Sequence, residues 1–335
     1  MLDNILILLL SLGIILTGCE LFTNGIEWLG KKLRLGDGVV GSIFSAVGTC
    51  LPETLIPVIA LLFSDNRKDS VDIGIGAIVG APFMLSTLAF FITGLSVIIF
   101  SGRRLTGMNL NTNLDILRRD ISFFVIVYTC AISVSFFSVG FIKNITAILL
   151  IAAYIYYVFK TVNSDKASNG EIDDLIFSKT FKLKENIPVI MAQIALALFS
   201  IILGAEMFVG NIEVISGALG ISTLALSIII TPIATELPEK FNSVIWISKN
   251  KDTLSLGNIS GAMVFQSCIP VSIGILTTDW KLDIITLVSS LLALSSTLVT
   301  YIWIKIKNSL TPLPLLSGGV FYALFIVFLI LRGFK

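Results

Sequence analysis

The sequence predicts an all-α integral membrane protein, with ten transmembrane helices arranged as two inverted five-helix repeats. Three observations carry the prediction. Of the 335 residues, 55% are apolar and only 13% are charged, well beyond what the core of a soluble domain requires. Apolar runs of about 20 residues or more, enough to cross ~30 Å of hydrocarbon as a helix, recur from one end to the other. The chain also aligns with itself at an offset of 186 residues, with three pairs of glutamates in register.

The spans fall at approximately 4–28, 38–63, 71–100, 120–139, 142–161, 187–213, 219–247, 254–277, 284–304 and 313–331. In lipid only helices and closed barrels satisfy every backbone polar group, and these runs are too long and too unalternating for barrel strands. The first run follows Met1-Leu2-Asp3, has no basic flank and carries Glu20 in place of a small-residue cleavage site. It reads as a retained span, not a signal peptide. A turn with Arg67 and Lys68 joins the second and third spans, and a break at Gly140 and Lys143 separates the fourth from the fifth. The hydrophilic stretch NSDKASNGEIDDLIFSKTFKLKEN, Asn163 to Asn186, is a linker too short for a regulatory domain. Five further spans follow, the last with a proline-bearing start. The organisation is therefore a first repeat over 1–162, a cytoplasmic linker over 163–186 and a second repeat over 187–335.

Basic residues set the orientation. With the N-terminus outside, the inner loops hold sixteen Lys and Arg and the outer side six, with Lys240 inside a span. The inner excess favours both termini outside the cytoplasm, in a multi-pass protein of the cell membrane.

Composition also excludes chemistry. There is no histidine, and the four cysteines, Cys19, Cys50, Cys130 and Cys268, lie in apolar segments without a CxxC pattern. Zinc, haem and Ser-His-Asp chemistry are disfavoured, and no HExxH is present. A transporter is expected rather than an enzyme, with no cofactor, no nucleic-acid partner and no obligatory protein partner; its environment is the lipid bilayer.

The internal repeat places TGCELFTNGIEW (17–28) on LGAEMFVGNIEV (203–214), so that Glu20 meets Glu206 and Glu27 meets Glu213. It also places AVGTCLPET (46–54) on PIATELPEK (232–240), matching Thr49 with Thr235, Pro52 with Pro238 and Glu53 with Glu239. GAIVGAPFM (76–84) matches GNISGAMVF (257–265) once five extra loop residues are allowed in the first copy. Five spans per half is an odd number, so the halves insert with opposite orientation. Inverted repeats of this kind build many secondary transporters, whose ion sites lie at the repeat interface near mid-membrane.

The chemistry gathers around the two LPE stretches. A proline inside a helix leaves the carbonyl four residues earlier without its partner, so Pro52 frees Gly48 and Pro238 frees Ala234. In each half a carboxylate (Glu53, Glu239), a hydroxyl at i−4 (Thr49, Thr235) and a freed carbonyl converge, the hard oxygen ligands that Ca²⁺ and Na⁺ prefer. An ionised carboxylate at mid-membrane costs at least a few kcal/mol and marks function; the bland alternative is a protonated or paired structural carboxyl. Glu236, opposite Cys50 in the repeat, belongs either to the site or to helix packing and a pair with Lys240. Asn258 is an amide at depth that needs a partner, which a nearby cation site would supply, and Gln266, a turn or two farther on, is either a further ligand or an orienting group. Glu20 and Glu206 either line ion passages or serve helix ends, and Glu27 and Glu213 read as solvated interfacial residues. The small-xxx-small pairs Gly76/Gly80 and Gly257/Gly261 read as close helix packing.

These residues resemble the cation/calcium exchanger superfamily, in the prokaryotic sodium/calcium exchanger form. Its two inverted repeats carry a GTSLPE-type motif and then GNxxGSNxxN/D, read here as GTCLPE (48–53) with GAIVGAPFML (76–85), and ATELPE (234–239) with GNISGAMVFQ (257–266). The resemblance covers essentially the whole chain. It implies the sodium/calcium exchanger-like fold, Glu53 and Glu239 as central ligands for Ca²⁺ and Na⁺ assisted by Thr49 and Thr235, and a first and sixth span that slide as a pair. The departures are Cys50 and Glu236 in place of the motif serine, Ala81-Pro82 and Ala262-Met263 in place of SN, and Leu85 and Gln266 at the last position. Side-chain oxygens are fewer than in the family pattern and lean toward the second repeat.

The expected function is secondary active antiport of Ca²⁺ against Na⁺ at a mid-membrane carboxylate site. Clustered carboxylates also exchange a divalent cation for protons, since like charges in a shared site favour protonation of at least one; Ca²⁺/H⁺ antiport is therefore the alternative. A passive cation channel with the same acidic constriction is a further class, disfavoured by the inverted repeat.

Overall fold

The computed structural model describes residues 2–32, 51–63, 67–164 and 174–332, with the side chains at 2, 27, 51, 52, 67, 68, 162–164, 234 and 237–242 outside the described set. Almost all of this chain is helical. In order come α1 (Leu2–Lys32), α2 (Leu51–Phe63), α3 (Arg67–Met84), a π-helical turn (Leu85–Ala89), α4 (Phe90–Phe100), α5 (Leu114–Ser133), α6 (Gly140–Ser164) and a short α7 (Ile176–Phe181). The second half continues with α8 (Ile187–Leu219), α9 (Thr223–Ser248), α10 (Asp252–Thr277), α11 (Ile284–Lys307) and α12 (Pro312–Leu331).

Among the described residues, eight helical segments are long and apolar enough to cross a membrane, one of them running from α3 through α4, as their apolar runs dictate. α2 and the first part of α9 are shorter apolar stretches; residues 38–50 of the expected second span lie outside the described residues. The break expected near Gly140 is a 3₁₀ turn, Val134–Phe136, followed by an extended Phe137.

The two halves interlock. α10 of the second half packs on α5 and α6 of the first, and α3 and α4 of the first pack on α11 and α12 of the second. Neither half buries its apolar faces alone. One continuous core joins Phe83, Phe90, Phe124, Tyr128, Phe265, Trp280 and Phe325. α1 and α8 stand apart from this body, packed chiefly on each other. Glycines let them close: a Cβ at Gly18 or at Gly25 would meet Ile201 or Ile194 at 2.8 Å, and one at Gly204 would meet Ile15 at 2.8 Å.

Loops lock the body at one end. Arg104, in the turn after α4, reaches across to Asp252 at the start of α10, Arg118 donates to Ile304 O and Asn308 Oδ1, and Leu110 bridges to Leu310. At the opposite end Lys143 donates to the carbonyl of Asp279. The sharing of these loops between two ends is what an antiparallel succession of spans requires.

Two local features differ from the sequence reading. The third span is not a uniform α-helix, because Leu85–Ala89 widens into a π turn. Pro82 cannot donate to its own helix, and Ser86 Oγ and Thr87 Oγ1 bond back to Pro82 O at 2.7 Å and Phe83 O at 2.5 Å, occupying the carbonyls just before the turn. The linker also holds structure: Leu175 is fully buried against Trp28, Ile190 and Ile194, so the stretch 175–178 is docked rather than free.

Candidate functional site

α9 carries the candidate residues Thr235, Glu236 and Glu239 of the second half. Its sequence TLALSIIITPIATELPEK stays helical through both prolines, which leaves the carbonyls of Ile228 and Ala234 without helical donors. The first of these is covered: a Cβ at Gly80 of α3 would lie 2.6 Å from Ile228 O. Gly80 and Gly76 thus press α3 onto α9, as their spacing predicts. No described atom lies within 4 Å of a Cβ at Gly257 or Gly261, so close packing at that pair is not seen among the described residues.

A row of hydroxyls runs along the same helix at intervals of four. Ser227 Oγ donates to Ile73 O at 2.9 Å and lies 3.1 Å from Thr231 Oγ1, and Thr235 Oγ1 donates to Thr231 O at 3.0 Å. Thr235 is fully buried. Its proton is committed to its own helix, so its oxygen lone pairs remain for an acceptor role such as cation ligation. Ser227 and Thr231 were not singled out from the sequence, although their i, i+4, i+8 spacing with Thr235 was legible.

The acidic residues separate into two classes. Glu53 at the start of α2 is 3% exposed and Glu236 on α9 is 1% exposed, deep in a protein whose other surfaces meet lipid. α2 touches both α9 and α10, so the helices bearing Glu53, Glu236 and Gln266 adjoin. Glu20 and Glu206, by contrast, are exposed on α1 and α8. Glu213 is half-buried and accepts from Ser70 Oγ at 3.0 Å; it ties α8 to the start of α3 and is not the free interfacial residue expected. The side chain of Glu27 lies outside the described set.

Gln266 is 0% exposed, and neither its Oε1 nor its Nε2 has a hydrogen-bond partner among the described residues. An amide held this way costs roughly 1–3 kcal/mol per unpaired group, which a bound cation at Oε1 and a carboxylate at Nε2 would offset. Asn258, two turns earlier, is half-buried. Pro270 lies inside α10 four residues after Gln266 and frees the Gln266 carbonyl; Pro57 inside α2 does the same for Glu53. Both residues therefore pair a polar side chain with a freed main-chain oxygen. Outside the repeated LPE stretches, neither proline has a counterpart in the other half to mark it in the sequence.

Gly48 and Thr49 fall outside the described residues, and Ala234 and Glu239 are described in backbone only, both on α9. Lys240, the alternative partner of Glu236, has its side chain outside the described residues. Among the described residues no three acidic or thiol side chains gather at one point.

The match to known proteins is consistent over the whole chain. The family model described as sodium/calcium exchanger protein matches residues 4–162 and 189–334. The inner membrane protein YrbG of Escherichia coli is 24% identical over 247 residues, 73% of this chain and 71% of that protein. Two solved structures share the fold: the H⁺/Ca²⁺ exchanger CAX, with TM-score 0.73 and 17% identity over 98% of this chain and 82% of that one, and the sodium-calcium exchanger NCX_Mj, with TM-score 0.58 and 20% identity over 97% and 98%. The inverted repeat, the interlocked halves and the family model spanning both of them agree: the chain belongs to the sodium/calcium exchanger protein family of multi-pass membrane proteins.

Proposed function

We propose that this protein is a secondary active antiporter that moves Ca²⁺ across the cell membrane against Na⁺. The carrying observation is the burial of Glu53 at the start of α2, beside α9 with buried Thr235 and Glu236, in a repeat whose second copy supplies Glu239. Hard oxygen donors in a dry setting suit Ca²⁺ and Na⁺. Glu53 and Glu239 act as the central ligands, Thr49 and Thr235 with the freed carbonyls of Gly48 and Ala234 complete the shell, and Asn258 and Gln266 complete it from α10. The inverted repeat fits alternating access, in which the site opens to one side at a time.

A specific observation favours a second reading, Ca²⁺/H⁺ antiport. Glu236 adds a buried carboxylate where the family pattern has serine, and like charges in a shared site favour protonation of one of them. The hydroxyl and amide positions of the first half have become Cys50, Ala81 and Leu85, which removes neutral oxygens suited to Na⁺.

The test is Ca²⁺ flux in proteoliposomes under an imposed Na⁺ gradient and then under a pH gradient. Flux driven by the first supports Na⁺ exchange, flux driven by the second alone supports H⁺ exchange, and flux indifferent to both refutes antiport. Glu53→Gln and Glu239→Gln are expected to abolish exchange in protein that still folds in the membrane.

A further inference from the structure

A further buried carboxylate stands outside the expected ligands. Asp120 lies on α5 within a membrane span, with a side chain 3% exposed. Ser260 Oγ of α10 donates to its Oδ2 at 2.8 Å, and Arg119 Nε and Nη2 donate to its Oδ1 at 3.1 and 3.0 Å. The Arg119 guanidinium lies 5.3 Å from the centre of the Tyr157 ring of α6. The carboxylate and its arginine thus join α5, α6 and α10.

Ser260 sits within GNISGAMVFQ, between Asn258 and Gln266. At about 100° of rotation per residue, Asn258, Ala262 and Gln266 share one face of α10 and Ser260 points to the opposite one. A clamp on the back of the helix sets the rotation and height of its front. The clamp is also one-sided in the repeat. The offset that matches Gly257 with Gly76 places Val79 opposite Ser260, and Ala77 and Leu85 opposite Asn258 and Gln266. The half that carries the polar candidates carries the anchor, and the half without them has an apolar residue there. Stability alone does not explain a carboxylate buried this deeply, because a well-packed apolar residue serves as well or better.

We propose that Asp120 is a positioning residue for the cation site: through Ser260 it holds α10 so that Asn258 and Gln266 face the ion. It does so without touching the ion, and it rests on the reading of α10 as one wall of that site.

Ca²⁺ uptake into proteoliposomes, measured against Ca²⁺ concentration, tests this in wild type, Asp120→Asn, Ser260→Ala and the double variant, with Glu53→Gln alongside. Asp120→Asn is expected to raise the half-saturating Ca²⁺ about tenfold or more, as loss of a group that orients a metal ligand does. Ser260→Ala is expected to give a smaller rise, and the double variant no more than Asp120→Asn, because both act through one hydrogen bond. The maximal rate per folded protein is expected to stay within about twofold of wild type. A half-saturation unchanged in both single variants, with rate falling only in step with the folded fraction, would reduce Asp120 to packing and overturn the proposal; additive effects would do so as well. If Asp120→Asn does not fold, Ser260→Ala decides alone. If Glu53→Gln transports normally, it is the cation-site reading that fails; if that variant is inactive while Asp120→Asn and Ser260→Ala saturate like wild type, only the positioning role falls.

Discussion

Arg104 and Asp252 form a two-pronged ion pair, Nη1 to Oδ1 and Nη2 to Oδ2 both at 2.7 Å, with both side chains fully buried. Arg104 also donates to the carbonyls of Ile247, Gly107 and Asn109, and Asp252 accepts from the backbone of Asn111. The pair ties the α4–α5 loop to the turn where α9 meets α10, so it fixes the base of both helices that carry the second-half candidate residues. Removing one partner leaves an uncompensated buried charge, which costs about 3–5 kcal/mol. Asp252→Ala is therefore expected to lower unfolding stability in mixed micelles by that amount, and a loss below about 1 kcal/mol, the range of an exposed pair, would show that water reaches Arg104.

The α3–α9 contact rests on Gly80. An added Cβ would lie 2.6 Å from Ile228 O and 2.8 Å from Pro232, and the backbone oxygen cannot turn aside as a flexible side chain would. Gly80→Ala is expected to push the two helices apart at a cost of about 1–3 kcal/mol. Thermal unfolding in detergent measures the loss, and Ca²⁺ half-saturation measured beside it shows whether the shift reaches Thr235 and Glu236. Wild-type stability in this variant would mean that α3 and α9 do not pack this closely.

The docked end of the linker makes a separate prediction. Asn24 Oδ1 accepts from Ile176 N at 3.0 Å, Gln193 Oε1 accepts from Phe177 N at 2.9 Å, and Gln193 Nε2 donates to Asn24 Oδ1 at 3.0 Å. Two amides, one from α1 and one from α8, thus cap the short α7 and seat Leu175 beneath it. In a background with the native cysteines replaced by serine, Leu175→Cys is expected to resist a soluble maleimide. Adding Gln193→Ala removes two of these bonds and the one from its Nε2 to Leu21 O and leaves Phe177 N unpaired, a loss of roughly 1–3 kcal/mol; labelling is expected to speed up about tenfold. Equal labelling in both backgrounds would show that the segment is not held by these amides.

How far the sequence revealed this structure depends on the range of the forces involved. Every expected span is helical over most of its described residues, apart from 137–139 at the end of the fourth and 220–222 at the start of the seventh, because length and apolarity decide a span locally. Glu53, Thr235, Glu236 and Gln266 are buried as their motif setting implies. Asp120 was passed over because LDILRRD reads as a charged boundary, and the span was set to begin there. α5 in fact starts at Leu114, since Arg118 and Asp120 find partners on α11 and α10 far away in the chain. The burial of Leu175 was hidden for the same reason: tertiary partners decide it, and local propensity does not.

Glu236 offers the sharpest division between the two counter-ions. It is buried on α9 one turn before Glu239, and its repeat counterpart is Cys50. As a site carboxylate it gives the cluster an additional place for a proton, which the serine of the family pattern cannot. Glu236→Ser is then expected to weaken Ca²⁺ flux driven by a pH gradient about tenfold or more, the lower range for removing a proton-transfer group, and to leave or improve flux driven by a Na⁺ gradient. If Glu236 serves only helix packing, both fluxes fall together or neither changes. Measuring the two gradients on the same proteoliposome preparation distinguishes these outcomes, because a folding loss scales both fluxes equally and a change of counter-ion alters their ratio.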